Sequence, residues 1–203
     1  MELSDILLKV QKPARYIGGE QGAIIKDKSN IDVRFAFCFA DSYEVGMSHL
    51  GMKILYSVAN TPDWAWCERV FAPWEDMEIE MRKNDIPLFA LESGDKLSDF
   101  DIIGFTIPYE MCYTNILNCL DLGGIPLRSS ERKDLSPIVI AGGPCTCNPE
   151  PLADFIDIFF IGEGEEVDEA SVEDYTVTKK SASIPEPPED LPFTVSGNVI
   201  EVD

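Results

Sequence analysis

The chain has 203 residues, of which 45% are hydrophobic and 10% aromatic, and its formal net charge is −21. These values exclude an intrinsically disordered chain and predict one domain, or one domain with an appendage. A surface of this charge repels phosphate groups, so we expect binding to neither nucleic acid nor a membrane. No apolar run reaches the ~18 residues of a membrane helix, and the N-terminus does not resemble a secretory signal. We therefore expect a soluble, cytoplasmic protein.

In chain order, the hydrophobic pattern predicts short apolar strands that alternate with helices. An amphipathic helix over about the first 12 residues leads into the Gly-rich segment YIGGEQGAIIK, a loop in which a short hairpin is one interpretation. Strands are predicted at 33–39, 67–71, 87–91, 101–107, 137–141 and 156–161, and further helices at 47–59, 74–84 and 109–122. This alternation is typical of a parallel sheet with helices on both faces. The expected fold class is α/β: a doubly wound, flavodoxin-like (Rossmann-like), mostly parallel sheet of about five to six strands.

Composition divides the chain into three segments. Residues 1–30 hold the N-terminal helix and the Gly-rich loop, residues 31–167 the α/β domain, and residues 168–203 an acidic, Pro-rich tail or linker. From 166 to 203 there are ten acidic residues and two lysines, a composition that is poor at forming a core. Within this tail, FTVSGNVIEV predicts a late hairpin that turns at 196–198.

Six cysteines and a single histidine bear on metal chemistry. Cysteines in apolar stretches, such as Cys38 and Cys119, are interpreted as reduced thiols that act as small hydrophobic residues. Cys145 and Cys147 form a C-x-C pair without a second pair nearby, whereas a structural zinc or iron–sulfur site needs about four ligands. A reactive thiol there stays open. His49 is interpreted as structural, so we assign no metal ligand.

Four loops follow predicted strands, at the edge where doubly wound folds bind their ligands. They are 41–48, 106–110, 142–146 and 162–165. Three have a plain structural interpretation: a capped helix start, a proline turn and an acidic turn. In the functional interpretation, helix-start N–H groups and hydroxyls hold a ligand, while glycines admit a flat ligand close to the backbone. The residues so assigned are Asp41, Tyr43, Gly46, Ser48, Thr106, Tyr109, Gly142, Gly143, Gly162 and Gly164.

Taken in order, these stretches resemble a known family. D-x-Y-x-x-G after the first strand, DIIGF, the GG-P loop after PIVIA and the final GEGE resemble the cobalamin-binding domain of B12-type radical SAM proteins. Longer stretches are similar to the N-terminal part of a group of large, uncharacterised proteins of this kind. Among them are DSYEVGMSHLGMKILY, FDIIGFTIPYE and IAGGPCTCNPEPLADFIDIFFIGEGEE. The resemblance runs from about residue 12 to 167.

The resemblance implies a flavodoxin-like cobalamin domain followed by a partial barrel, which binds a [4Fe-4S] cluster and S-adenosylmethionine through a C-x3-C-x2-C motif. That motif does not occur in this sequence. We therefore expect the radical step in a barrel outside it, supplied in cis or in trans, and interpret the chain as a fragment, a domain or a truncated relative. Cobalamin domains with D-x-H-x-x-G bind cobalt through the histidine. Here Tyr43 holds that position, and a phenol with a pKa of about 10 is a poor neutral ligand.

Three functions follow as hypotheses. In the first, the chain presents a corrinoid at the strand ends to a radical SAM enzyme, as methyl carrier or redox partner. In the second, the same fold has no cofactor and docks on the barrel or on another protein. An exposed apolar patch, or Tyr43, Tyr109 or Met47 filling the strand-end crevice, would favour it. In the third, the chain is a flavodoxin-like electron carrier, although it lacks a Ser/Thr-rich phosphate loop after the first strand.

Overall fold

The computed structural model describes residues 3–132 and 137–162, together with the backbone of 193–196 and 199–202. Five α-helices lie in this part of the chain: α1 (Leu3–Leu7), α2 (Tyr43–Ser48), α3 (Leu50–Ala59), α4 (Glu75–Lys83) and α5 (Tyr113–Leu122). The strands are β1 (Val33–Phe39), β2 (Ala65–Phe71), β3 (Ile102–Thr106), β4 (Ile138–Gly142), β5 (Ile158–Ile161), β6 (Phe193–Ser196) and β7 (Val199–Val202).

The described strands form one sheet in the order β2-β1-β3-β4-β5-β7-β6. Neighbours from β2 through β7 pair in parallel, and β6 pairs with β7 in the antiparallel sense. The order of β1 to β5 is that of a flavodoxin-like sheet, so the predicted fold class is confirmed. The carboxyl ends of these five strands meet at one edge of the sheet, which we call the carboxyl edge.

Each face of the sheet has its own hydrophobic core. On one face, α4 and α5 bury Met77 and Ile116 against Ile103, Phe105 and Val139. On the other face, α2 and α3 cover β1 and β2. There the core consists of Phe37, Phe39, Met52, Tyr56, Cys67 and Phe71.

The predicted helix at 47–59 is two helices that meet at His49. This residue has an extended backbone (φ −77°, ψ 117°), and its Nδ1 accepts a hydrogen bond from the backbone N–H of Met52 at 3.2 Å. The imidazole therefore caps the start of α3, because it satisfies one of the free N–H groups there. The lone histidine has a structural role.

The predicted strand at 87–91 is wrong. Its only strand-like pairing in the described residues is an isolated bridge between Phe89 and Lys96. Leu88 and Ala90 are buried, so the apolar pattern reflects packing rather than membership of the sheet. The late hairpin is confirmed as the pairing of β6 with β7, with its turn residues 197–198 outside the described part.

The free edge of β2 is closed by hydrogen bonds from side chains. Asn60 donates to the carbonyl of Cys67 and accepts from its N–H, at 2.9 and 3.0 Å. Glu92 accepts from the N–H of Arg69 at 2.7 Å. Strand addition needs unpaired backbone groups along an edge, so these bonds protect β2 from pairing with another chain.

Among the described helices, none has both the length and the hydrophobicity that crossing a bilayer requires.

Candidate functional site

The carboxyl edge brings together five of the residues that the sequence assigns to a ligand: Asp41, Thr106, Tyr109, Gly142 and Gly143. Asp41 follows β1, Thr106 ends β3, and Gly142 ends β4. The structure places these residues at one edge of the sheet, while their assignment to a ligand stays a prediction. Their contacts, however, are with one another and with neighbouring residues of the same loops.

A hydrogen bond from the hydroxyl of Tyr109 to Oδ2 of Asp41 bridges the loops after β3 and β1. The other oxygen of Asp41 accepts from the N–H of Ser42 at 2.5 Å. Burial, followed by the bond to Asp41, raises the pKa of Tyr109, so the phenol is a hydrogen-bond donor at neutral pH. Since β1 and β3 are neighbours, this bond spans the crevice between them.

The two glycines at the end of β4 pack against the loop after β3. The carbonyl of Gly142 accepts from the N–H of Ile107 at 2.8 Å. Gly143 has φ of 100°, and a Cβ there would lie 3.0 Å from the nitrogen of Ile107. Thr106 is 9% exposed, so its hydroxyl is largely enclosed. The space that a flat ligand would need beside Gly143 is therefore filled by the backbone of Ile107, whereas a Cβ at Gly142 would meet only Cβ of Phe160, at 4.0 Å.

Three further assigned residues lie on α2 and do not converge with this group. The ring of Tyr43 packs edge-on against Phe71, and its hydroxyl donates to Oε1 of Glu20 at 3.0 Å. A Cβ at Gly46 would overlap the ring of Phe71. The hydroxyl of Ser48 donates to the helix's own backbone, at 2.8 Å. Tyr43 and Gly46 therefore hold α2 on the sheet, whereas the hydrogen bond of Ser48 stays within the helix.

The remaining two assigned residues follow β5. Gly162 is exposed and has φ of 148°. Gly164 lies outside the described residues.

Sequence reasoning missed a buried ionic network around Arg69. Its Nε donates to Glu92 at 2.6 Å, and its terminal nitrogen donates to Glu20 at 2.9 Å. The carboxylate of Glu92 is fully buried, and this burial raises its pKa against the opposing effect of Arg69. The available signal was Glu68–Arg69, a charged pair inside an otherwise apolar strand. Because Glu20 also holds Tyr43, the network fixes the Gly-rich loop and α2 to β2.

A cleft of about 290 Å³ lies beside Asp41, where α4 and α5 approach the carboxyl edge. Its walls include Trp74, Glu78, Asn115 and Asn118. The polar walls are partly bonded to each other, since Asn118 donates to Glu78 at 2.8 Å. Pockets for drug-sized ligands start at about 300 Å³, so this cleft has room for a small polar molecule and not for a macrocycle.

Two thiols near the carboxyl edge have a raised pKa, and both are protonated at neutral pH. Burial raises the pKa of Cys112, which is fully buried, and of Cys145, which is partly exposed. Cys147 is exposed. Within residues 3–132 and 137–162, no group of three or more His, Cys, Asp or Glu side chains is arranged to hold a metal ion.

Comparison with known proteins identifies a family that matches the chain and a relative that is similar to part of it. The family of N-terminal regions of radical SAM proteins matches residues 51–186, more than half of the chain. An uncharacterised protein of Methanocaldococcus jannaschii, MJ0966, is 32% identical over 85 residues. This match covers 41% of the chain and 18% of the relative, so the chain spans only a small part of that protein's length. No solved structure matches the chain.

Proposed function

This chain belongs to the family of N-terminal regions of radical SAM proteins, and from that premise we propose that it is a cofactor-free docking domain for a radical SAM catalytic domain. The domain binds the catalytic partner in cis or in trans and positions it. Radical chemistry, with its [4Fe-4S] cluster and S-adenosylmethionine, belongs to the partner. The family match and the small share of the longer relative that the chain covers support this division.

The observation that carries the proposal is the closure of the carboxyl edge by the chain's own groups. Tyr109 and Asp41 bond across the crevice between β1 and β3. Gly142 and Gly143 pack against the backbone of Ile107. In a doubly wound sheet this crevice is where a ligand normally lies, so its closure favours a protein partner over a bound cofactor.

The residues that the sequence assigns to cobalamin fit that group poorly. Tyr43 replaces the ligating histidine of the resemblance, and its phenol is occupied by Glu20. Burial raises the pKa of Tyr43, which disfavours the phenolate that could bind a metal. The open cleft at this edge, of about 290 Å³, lies on the α4–α5 side and is too small for a corrin ring with its side chains. Cobalamin binding stays a prediction for experiment to decide.

Two titrations test the proposal. First, the purified chain is titrated against the radical SAM catalytic protein encoded beside it or in continuation of it, with its cluster reconstituted under anaerobic conditions. We expect a one-to-one complex by calorimetry, with a Kd of about 10 µM or tighter. Second, hydroxocobalamin is added in large excess, and we expect no change in its visible spectrum.

The two readouts separate the competing functions. A saturable spectral change with hydroxocobalamin would establish corrinoid presentation and overturn the cofactor-free proposal. A failure to bind the catalytic protein at concentrations well above the expected Kd would reject docking. Flavin absorbance in the purified chain would point instead to an electron carrier.

A further inference from the structure

Resting on the proposed function, we propose that the catalytic domain docks on an apolar half of the sheet, and not at the carboxyl edge. This surface, which we call the open face, lies over β3, β4 and β5 on the side of α2 and α3. Its side chains are Phe35, Ile102, Ile138, Ile140, Ile158 and Phe160.

The open face exists because the two sides of the sheet are covered unequally. On the α4–α5 side, the core includes residues of β1 through β5. On the other side, the core beneath α2 and α3 draws its strand residues only from β1 and β2 among the described residues. The described helices on that side therefore cover about half of the sheet.

Strand alternation assigns the partly exposed residues to this side. Ile103, Val139 and Phe159 belong to the core under α4 and α5. Successive side chains of a strand point to opposite faces, so their neighbours in β3, β4 and β5 point to the other side. Those neighbours, including Ile140 and Phe160, are partly exposed, whereas the side chains opposite them are fully buried.

Gly104 makes this surface continuous. A Cβ at this position would overlap the ring of Phe35 and would lie 3.4 Å from Cγ1 of Ile140. The ring of Phe35, on β1, therefore lies across β3 and reaches toward β4. Phe35 also stacks on Phe37, with ring centroids 5.8 Å apart, which joins the open face to the buried core under α3.

The composition of the open face calls for an apolar partner. All six side chains are hydrocarbon, although the chain as a whole has 37 acidic and 16 basic residues. Large contiguous apolar patches on a soluble protein mark interaction sites. A second copy is a poor occupant, because two chains with a charge of −21 each repel one another. Residues 163–192 are also a poor occupant, with ten acids and two lysines in 30 residues.

The radical SAM domain is the occupant that the family membership supplies. Most of the M. jannaschii relative lies outside the matched stretch. That protein therefore has further residues that can pack against the region that resembles this chain. Strand β7 pairs in parallel with β5, which places the last described strand next to the open face. A catalytic domain on this face would replace the helices that normally cover this half of a doubly wound sheet.

Isoleucine methyl resonances test the assignment without any substitution. The chain is labelled at isoleucine δ1 methyls and mixed with the radical SAM catalytic protein used above. We expect the signals of Ile138, Ile140 and Ile158 to shift or broaden. Ile79, which is 57% exposed on α4, is on the opposite side of the sheet and serves as an internal reference. Changes confined to Ile79 or to residues of the carboxyl edge would overturn the proposal.

Substitution provides a second measurement. Ile158→Lys and Phe160→Lys should each weaken binding by about tenfold or more, because a charge would be buried in an apolar contact. The control is Ile79→Lys, at a 57% exposed position on α4 on the opposite side of the sheet, for which we expect a change of less than about twofold. Circular dichroism verifies that each variant is folded.

The outcomes separate this inference from the function on which it rests. Failure of the unaltered chain to bind rejects the docking function. Binding that persists in both lysine variants rejects only the open face. A dimer that Phe160→Lys converts to a monomer would assign the face to a second copy. Loss of thermal stability with unchanged affinity would assign it to residues of the same chain. Either of these last results overturns the proposal.

Discussion

At the scale of single residues, the candidate site depends on a phenol and a carboxylate. Tyr109 donates to Asp41, and this contact joins the loops of two neighbouring strands. Neither partner's role could be read from the sequence, because a tyrosine after a Thr-Ile-Pro turn suits a ligand contact as well as an internal bond. Spatial proximity, which the parallel register of β1 and β3 creates, decides between these interpretations.

We expect Tyr109→Phe to lower the free energy of unfolding by about 1 kcal/mol, because a hydrogen bond to a charged but partly exposed group is lost. The measurement is urea denaturation followed by circular dichroism. Tyr113→Phe, at a partly exposed tyrosine on α5, is the matched control and should change little. Equal effects of the two substitutions would mean that the bond to Asp41 contributes nothing.

Glu44 provides a pH-dependent contact between the N-terminal segment and α2. Its carboxylate accepts from Arg15 at 2.9 Å and from Lys12 at 2.9 Å, and these bonds lower its pKa from 4.5 to about 2. A depressed pKa stabilises the fold fully above the unfolded value, and this contribution is lost as the pH falls toward 2. The thermal midpoint of Glu44→Gln should therefore lie below that of the unaltered chain near neutral pH. The difference should shrink between pH 4.5 and 2. A difference that is independent of pH would contradict this account.

At the scale of elements, the apolar runs of the sequence predict the five central strands to within two residues at every end. The largest differences are at the start of β2, which begins two residues earlier than expected, at Ala65, and of β5, which begins two residues later, at Ile158. Long apolar runs predict these strands well, because a parallel strand whose side chains are buried on both faces of the sheet must be apolar along its length. Segment 87–91 was misread because Leu88 and Ala90 are equally apolar but are buried in the core without belonging to a strand.

Helix boundaries and glycine roles were harder to predict, because both depend on contacts distant in sequence. The break at His49 depends on a side-chain cap that no periodicity reveals. Gly46 suits a ligand loop on the pattern D-x-Y-x-x-G, yet its lack of a Cβ admits the ring of Phe71. The Arg69 network likewise joins residues 20, 69 and 92, and only the fold brings them together.

The closed edge of β2 leads to a prediction for Asn60. This side chain is 7% exposed and satisfies both backbone groups of Cys67. Asn60→Ala should cost about 1–3 kcal/mol of unfolding free energy, because buried backbone groups lose their partners. It should also speed the hydrogen exchange of the Cys67 amide. Thr61→Ala, at an exposed neighbour, is the control. Unchanged protection at Cys67 in Asn60→Ala would show that another group caps this edge.

At the scale of the whole molecule, charge opposes compactness. A net charge of −21 on 203 residues places like charges near one another across the surface. Raising the ionic strength from about 0.01 M to about 0.1 M shortens the Debye length from about 30 Å to about 10 Å. Long-range repulsion is screened by this change more strongly than hydrogen-bonded pairs at contact distance.

We therefore expect added NaCl over this range to raise the midpoint of urea unfolding. Urea is the right denaturant because it is uncharged and leaves the ionic strength unchanged. Sodium sulfate at matched ionic strength distinguishes screening from ion-specific exclusion. A midpoint that falls with NaCl would mean that surface ion pairs outweigh the net repulsion.

Because the ring of Phe35 lies over Gly104, we expect these two positions, which are 69 residues apart, to covary in evolution. In homologous sequences, a larger residue at 104 should appear only together with a smaller one at 35, since the two share one volume above β3. The pair should vary in opposite directions across species. Paired changes of this kind would identify the same surface in distant homologues, even where sequence identity is low.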